Sequence, residues 1–404
     1  MGSGVEYPPD TIMNLCPVDR RPVEVVLDLA RLRAERPGLS WYHPDRPDLW
    51  RFGALLPLDI ADAADRRHIV ALGEGHTPLL DYDDHPLARK AGFRLSVKEE
   101  GVAVAGYGHN PTRSFKDRGM AMVVSMARKL GLQRLAVPTQ GNAGDALVEY
   151  GVAAGLEVAV VMPDDTPSPI LARVTAFAQR YPQQVYLDVV RGTIRDAGVL
   201  VREKYLSNGF FNVATFQEPG WRIEGKKTMG LELAEPRAGT DAWQLPDVIL
   251  YPTGGGTGIL GMWKAFDELE ALGVIDGRRP RIVSIQSEST PPVVRAFERH
   301  ATDTELVTPG ETLAVGLNVP GGVGHFRVLE ILYESQGAAL AVPESALIPT
   351  MQAVLQDKGW AMSPEGAACL AALPALVDRG LIRPGDQVVA FNTCAADKYG
   401  DFGF

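Results

Sequence analysis

The sequence predicts an α/β protein of two domains, each a parallel or mostly parallel sheet flanked by helices. Three observations predict it. Short β-branched runs alternate with amphipathic stretches, the signature of β-α-β units. Two of those runs lead into glycine-rich loops that open helices. The chain has 404 residues, and at roughly 150 residues per domain two domains are expected.

Taken in order, residues 1–72 read as an N-terminal extension wrapped on the main body. Asp28–Arg36 can form a helix, but Pro37, Pro44, Pro47 and Pro57 interrupt the residues after it. Strands are then expected at Phe93–Val97, Arg134–Val137, Glu157–Met162, Val185–Val189, Val248–Tyr251, Arg281–Ile285 and Gln387–Phe391. Between them, helical periodicity marks Arg118–Leu130, Asp145–Ala154, Pro169–Gln179, Gly192–Lys204 and Gly258–Leu272. Residues 73–106 and 218–404 are assigned to a large domain and 107–217 to a small mobile one. Pro236–Pro246 is the clearest linker-like stretch.

Composition removes several classes of function. A formal charge of −10 and no basic stripe argue against a nucleic-acid binder and against an anionic membrane surface. No run of about 18 apolar residues is long enough to span a bilayer. Met1–Glu6 lacks the basic and apolar regions of a secretory signal, so a cytoplasmic location is expected. The three cysteines, Cys16, Cys369 and Cys394, form neither a disulfide framework nor a metal spacing. The seven histidines show no ligand spacing either, and no metal is expected.

The loops carry the chemistry. Gly256-Thr257-Gly258-Ile259-Leu260-Gly261 satisfies G-x-G-x-x-G after a strand. The acid that should confirm a dinucleotide site, Glu288, lies well beyond the roughly 20-residue spacing. A simpler reading is a phosphate cradle, because glycines at a helix N-terminus let backbone N–H groups converge on one anion. A turn that only packs the helix is the structural alternative. Gly220–Lys227 misses a P-loop, since Lys227 stands where Ser or Thr would bind magnesium.

Asn110-Pro111-Thr112-Arg113-Ser114-Phe115-Lys116-Asp117-Arg118-Gly119 is the most informative segment. Lys116 at a helix start beside Arg118 sits in positive potential, which favours its neutral, nucleophilic amine. A lone lysine is more often a surface charge. Its company with the two glycine loops is what raises it to a candidate.

That combination resembles the fold-type II pyridoxal-phosphate enzymes, through Lys116 in NPTRSFKDRG, Asn142 in TQGNAGD and the loop PTGGGTG. Gly73–Leu79, Arg222–Thr228 and Ser363–Ala368 narrow the resemblance to threonine synthase and its relatives, over about residues 16–399. The resemblance implies pyridoxal 5'-phosphate in the cleft between two domains. Lys116 would hold it as a Schiff base (the internal aldimine) and act as acid/base, with Phe115 near the ring. Asn142 would bond its phenolic oxygen, Gly254, Gly255, Gly256, Thr257 and Gly258 its phosphate, and Thr393 would face its pyridine nitrogen. Thr139, Gln140 and Ala143 would receive the substrate carboxylate and Arg222 the substrate phosphate. The implied activity converts O-phospho-L-homoserine and water to L-threonine and phosphate. The implied partner is a phosphorylated amino-acid substrate, and the usual assembly is a homodimer. A related β-replacement or β-elimination enzyme, like cysteate synthase or threonine/serine dehydratase, is the alternative.

Four departures from the family pattern border the implied site. Gly101–His109 is longer than the usual link, and Arg113 replaces a common glycine. Asp145 stands where a small residue is usual, and Cys394-Ala395-Ala396-Asp397 replaces a glycine-containing motif. Arg113 could add an anion contact; Asp145 would repel a phosphate or attract an amine. Cys16-Pro17-Val18-Asp19 resembles half of a zinc ribbon with its second cysteine lost, so no zinc is expected.

Overall fold

The computed structural model describes residues 1–237 and 239–403. Its strands, in chain order, are β1 (Leu79–Asp81), β2 (Arg94–Glu99), β3 (Arg134–Pro138), β4 (Glu157–Pro163) and β5 (Val185–Val190). They continue with β6 (Phe211–Asn212), β7 (Val248–Pro252), β8 (Arg281–Ser287), β9 (Ala338–Val342) and β10 (Gln387–Asn392). All seven expected strands form. Three more appear, β1, β6 and β9.

The chain divides into two compact units. The first holds Met1–Gly75, Asn110–Lys226 and Lys398–Gly400; the second holds His76–His109, Lys227–Asp397 and Asp401–Phe404.

In the first unit the sheet order is β5-β4-β3-β6, with every pair parallel. Parallel strands are buried on both faces, which explains the unbroken apolar run of β4. The helix Asn142–Ala153 lies close on this sheet because Gly144 and Gly151 have no Cβ to collide with Val160, Met162 and Val158. The N-terminal residues belong to this unit. Trp50 is fully buried and its indole N–H donates to Glu74 Oε1 at 3.1 Å, while Tyr150 O–H donates to Glu74 Oε2 at 2.9 Å. The Asn14 amide donates to the carbonyl of Asn212 at 3.2 Å and to that of Gln217.

In the second unit the order is β1-β2-β10-β7-β8-β9, and only the β1–β2 pair is antiparallel. Its core unites Leu95, Val97, Val248, Leu250, Val283, Ile285 and Val388 with the inward side chains of its helices. Among the described residues no helix is long and apolar enough to cross a membrane. No group of three or more His, Cys, Asp or Glu among them could hold a metal ion.

Candidate active site

Lys116 opens the helix Lys116–Lys129, with Phe115 as its N-cap residue. The turn before it is tied down locally. Thr112 N–H and O–H donate to the two Asp117 carboxyl oxygens at 2.7 and 2.5 Å, and Lys116 N–H donates to Ser114 Oγ at 3.2 Å. The Asp117 carboxyl is buried among these bonds, and burial pushes it up to about 8. Lys116 Nζ lies 3.8 Å from the centroid of the buried Phe115 ring. Arg113 has φ of +60° and an exposed side chain. The common glycine at this position is therefore a conformational preference, since left-handed backbone is strained in residues with a Cβ.

Asn142 begins the next helix of the same unit, just beyond the carboxyl end of β3. Its Nδ2 donates to Tyr399 Oη at 3.1 Å, and its buried Oδ1 has no partner among the described residues. Thr139 and Ala143 are buried around it, whereas the Gln140 amide donates outward to Asp165 at 2.9 Å. Asp145, fully buried one turn into this helix, faces neither an open anion site nor a free amine. Arg173 Nε donates to its Oδ1 and Lys398 Nζ to its Oδ2, each at 2.5 Å. Lys398 also donates to the carbonyl of Thr112, on the Lys116 turn. Asp145 is thus tied to Lys398, the residue that directly follows the altered Cys394–Asp397 segment.

Arg222, in the helix Trp221–Ala234, is buried; its Nη1 donates to Thr215 Oγ1 at 3.1 Å. Its Nε and Nη2 have no partner among the described residues. Burial pulls the guanidinium down to about 10, against the attraction of Glu218. Burial likewise pushes Glu218 up to about 7, against the pull of Arg222. A buried cation with unused donors is the arrangement that takes an anion.

In the second unit, adjacent parallel strands β7 and β10 deliver two elements to one sheet edge. Past β7 runs Thr253–Gly256 and the helix Thr257–Ala271; past β10 stands the buried Thr393. Gly256 has φ of +80°, and a Cβ at Gly254 or Gly258 would overlap the Gly316 carbonyl or the Tyr251 ring. His325 holds the loop from behind. Its Nδ1 accepts from Gly322 N–H at 3.0 Å, so its Nε2–H donates to the Gly254 carbonyl at 2.8 Å, and burial lowers its pKa toward this neutral form. Among the described residues, no backbone N–H from Gly254 to Ile259 donates to another backbone group. Such a row of free donors at a helix N-terminus suits a phosphate. The Asn392 amide fixes the end of β10 before Thr393, donating to both Glu99 oxygens and accepting from Ser363 N–H and O–H.

The remaining departure, Gly101–His109, packs at the start of this second unit's site. A Cβ on Gly101 would overlap Cys394 and Ala395, and Gly108 N–H donates to the His76 carbonyl at 2.9 Å. Lengthened link and altered chain end are matched to each other.

These features put a lysine at a helix start in the first unit and, in the second, a glycine loop whose backbone N–H donors suit a phosphate. The family described as pyridoxal-phosphate dependent enzyme matches residues 70–393, and the chain belongs to it. The threonine synthase of Methanosarcina acetivorans is 30% identical over 391 residues, covering 96% of this chain and 89% of the relative. The threonine synthase of Methanocaldococcus jannaschii is 30% identical over 346 residues, covering 85% and 79%. Among solved structures, the processed threonine deaminase isoform 2 of Solanum lycopersicum aligns with a TM-score of 0.64 at 17% identity, over 97% of this chain and 95% of its own. The L-serine ammonia-lyase of Rhizomucor miehei aligns with a TM-score of 0.62 at 16% identity, over 80% and 94%. The fold is the expected α/β fold of two units, and the chain is a pyridoxal-phosphate-dependent lyase with a threonine synthase-like function.

The sequence did not single out Lys398, Tyr399, Glu218 or His325 as functional. Lys398 and Tyr399 close a motif whose middle is altered, and the other two carry no spacing signal.

Proposed function

We propose that the protein converts O-phospho-L-homoserine and water to L-threonine and phosphate, as a cytosolic homodimer. The observation that carries the phosphorylated substrate is Arg222, a buried guanidinium with two unpartnered N–H donors in the unit that holds Lys116. A hydroxyl substrate such as serine, with no phosphate, would leave those two N–H donors unpaired.

Bound pyridoxal phosphate supplies a carbonyl that joins amines reversibly and a conjugated ring that delocalises carbanion charge. The chain's residues do the rest. Lys116 holds the cofactor through Nζ, then removes and returns substrate protons at carbon. Free N–H groups from Gly254 to Gly258 bind the cofactor phosphate, with Phe115 beside the ring and Asn142 at the phenolic oxygen. Thr393 offers the ring nitrogen a hydroxyl, which leaves that nitrogen unprotonated. Thr139, Gln140 and Ala143 receive the substrate carboxylate, chiefly through backbone groups, since the Gln140 amide is engaged with Asp165. Arg222 binds the departing phosphate.

The test is an assay of threonine and phosphate release from O-phospho-L-homoserine by the purified protein and by Lys116→Ala. Equal amounts of both products from the parent, and a loss of at least about 10³-fold in the variant, are expected. Turnover of serine, threonine or O-phosphoserine with none of O-phospho-L-homoserine would assign the alternative reading, a dehydratase or β-replacement enzyme.

A further inference from the structure

A cavity of about 350 Å³ opens in the second unit, between the helix Pro292–Glu298 and the loop that follows it. Small-molecule sites usually measure roughly 300–1,000 Å³, so this one suits a small ligand. Its charged lining is two arginines, Arg295 and Arg299, and two glutamates, Glu298 and Glu305; Leu306 and Val307 add an apolar wall. Arg299 is engaged. Its Nε donates to the Arg295 carbonyl at 3.1 Å and its Nη2 pairs with Glu305 at 3.4 Å, which ties the helix to the loop. Arg295 and Glu298 are not engaged. They stand three residues apart on the helix, a spacing that lets opposite charges pair. Among the described residues, however, neither side chain makes a hydrogen bond or an ion pair. Leu306 lies against Gly321, where a Cβ would come within 2.6 Å of its Cδ2, and yet it is 65% exposed.

One unpaired cation, one unpaired anion and an uncovered leucine set the chemistry of a ligand. A simple anion such as phosphate meets Glu298 and Glu305 as well as the arginines, so the two signs of charge cancel. An α-amino acid with an aliphatic side chain matches all three features. Its carboxylate accepts from Arg295, its ammonium donates to Glu298, and its side chain covers Leu306.

The loop that walls the cavity reaches the glycine loop through one histidine. Val307 N–H donates to the Pro320 carbonyl at 3.0 Å, and Thr304 O–H donates to His325 Nδ1 at 3.0 Å. His325 Nε2–H donates in turn to the Gly254 carbonyl at 2.8 Å. A ligand that joins Arg295 and Glu298 to Leu306 fixes residues 304–307, and with them the bond from Thr304 to His325.

We propose that this cavity is an effector site for a free aliphatic α-amino acid, whose binding tightens the hold of the Gly254–Gly258 loop on the cofactor phosphate. The ligand site stands on its own residues; the coupling rests on the reading of that loop as the phosphate cradle.

Equilibrium dialysis of the cofactor-free full chain against radiolabelled L-valine tests the site. Saturable binding at millimolar concentration is expected. Arg295→Gln and Glu298→Gln, each checked for an unchanged circular dichroism spectrum, are expected to weaken it at least about tenfold. No saturable binding, or binding undiminished in both variants, would overturn the site. The coupling is read by titrating the parent with pyridoxal phosphate, followed by absorbance, with and without L-valine. At least about fivefold tighter cofactor binding is expected with L-valine present. Thr304→Val is expected to bind L-valine as the parent does and to lose that gain. Arg295→Gln should lose it too, which separates the cavity from reaction of L-valine with the cofactor itself. Equal cofactor affinity with and without L-valine in the parent would overturn the effector role. A parent that binds no pyridoxal phosphate would instead overturn the reading of the glycine loop, and the dialysis would still decide the amino-acid site.

Discussion

Asp145 is the residue whose meaning changes most between sequence and structure. As a letter in TQGNAGD it is a carboxylate beside an anion-binding loop, able to repel one ligand or attract another. In the fold both its oxygens are taken, one by Arg173 and one by Lys398. The pairing was illegible because Lys398 lies 253 residues away and no local pattern couples the two. Breaking a buried pair from one side leaves an uncompensated charge. Asp145→Ala, which strands Lys398 with only the Thr112 carbonyl, is expected to cost about 3 kcal/mol. Lys398→Met should cost less, because Arg173 still serves Asp145. The double variant should fall short of the sum by about 1–3 kcal/mol in urea unfolding. Additive losses would mean that the pair does not hold the chain end to the Lys116 turn.

At the scale of elements, strands with β-branched runs were legible and all seven form. β9, Ala-Ala-Leu-Ala-Val, was not, because alanine carries no strand signal and only burial against β8 makes it one. The helix Trp221–Ala234 was also missed as a helix. It is buried nearly all round, and Arg222, Glu224, Lys226, Lys227 and Thr228 lie inside, so no polar face marks its period. Its position depends on Gly225, where a Cβ would overlap the carbonyl of Arg118 in the helix Lys116–Lys129. Gly225→Ala is expected to lose roughly 1–3 kcal/mol in urea unfolding, despite alanine's better helix propensity. A stabilising substitution would show that the two helices are not in backbone contact.

At the scale of the molecule, buried carboxyls govern the response to pH. Burial pushes Glu74 and Glu99 up to about 7, from an ordinary value near 4.5, despite the hydrogen bonds they accept. A carboxyl raised in the folded state holds its proton more tightly there than in the unfolded chain. Its contribution to stability is complete below about 4.5 and is lost as pH rises through about 7. At roughly 1.4 kcal/mol per unit, Glu74 alone is worth on the order of 3 kcal/mol across that window. The unfolding free energy is therefore expected to fall between about pH 5 and pH 8, and Glu74→Gln to flatten the slope. A slope unchanged by Glu74→Gln would mean that this carboxyl is ionised in the folded protein.

The motifs for cofactor and fold were legible because glycine loops and the lysine segment are local. The features on which the proposed substrate rests are not local: the unpartnered donors of Arg222 arise from burial, and the fit of Gly101 against Cys394 and Ala395 from contact between distant segments. The most direct test of Lys116 and its substrate together is the visible absorption spectrum of the purified protein with pyridoxal phosphate, before and after O-phospho-L-homoserine. The expected result is a band that disappears in Lys116→Ala, shifts when the substrate is added, and returns as threonine accumulates. A band that ignores O-phospho-L-homoserine would contradict the substrate, and no band at all would contradict the assignment of Lys116.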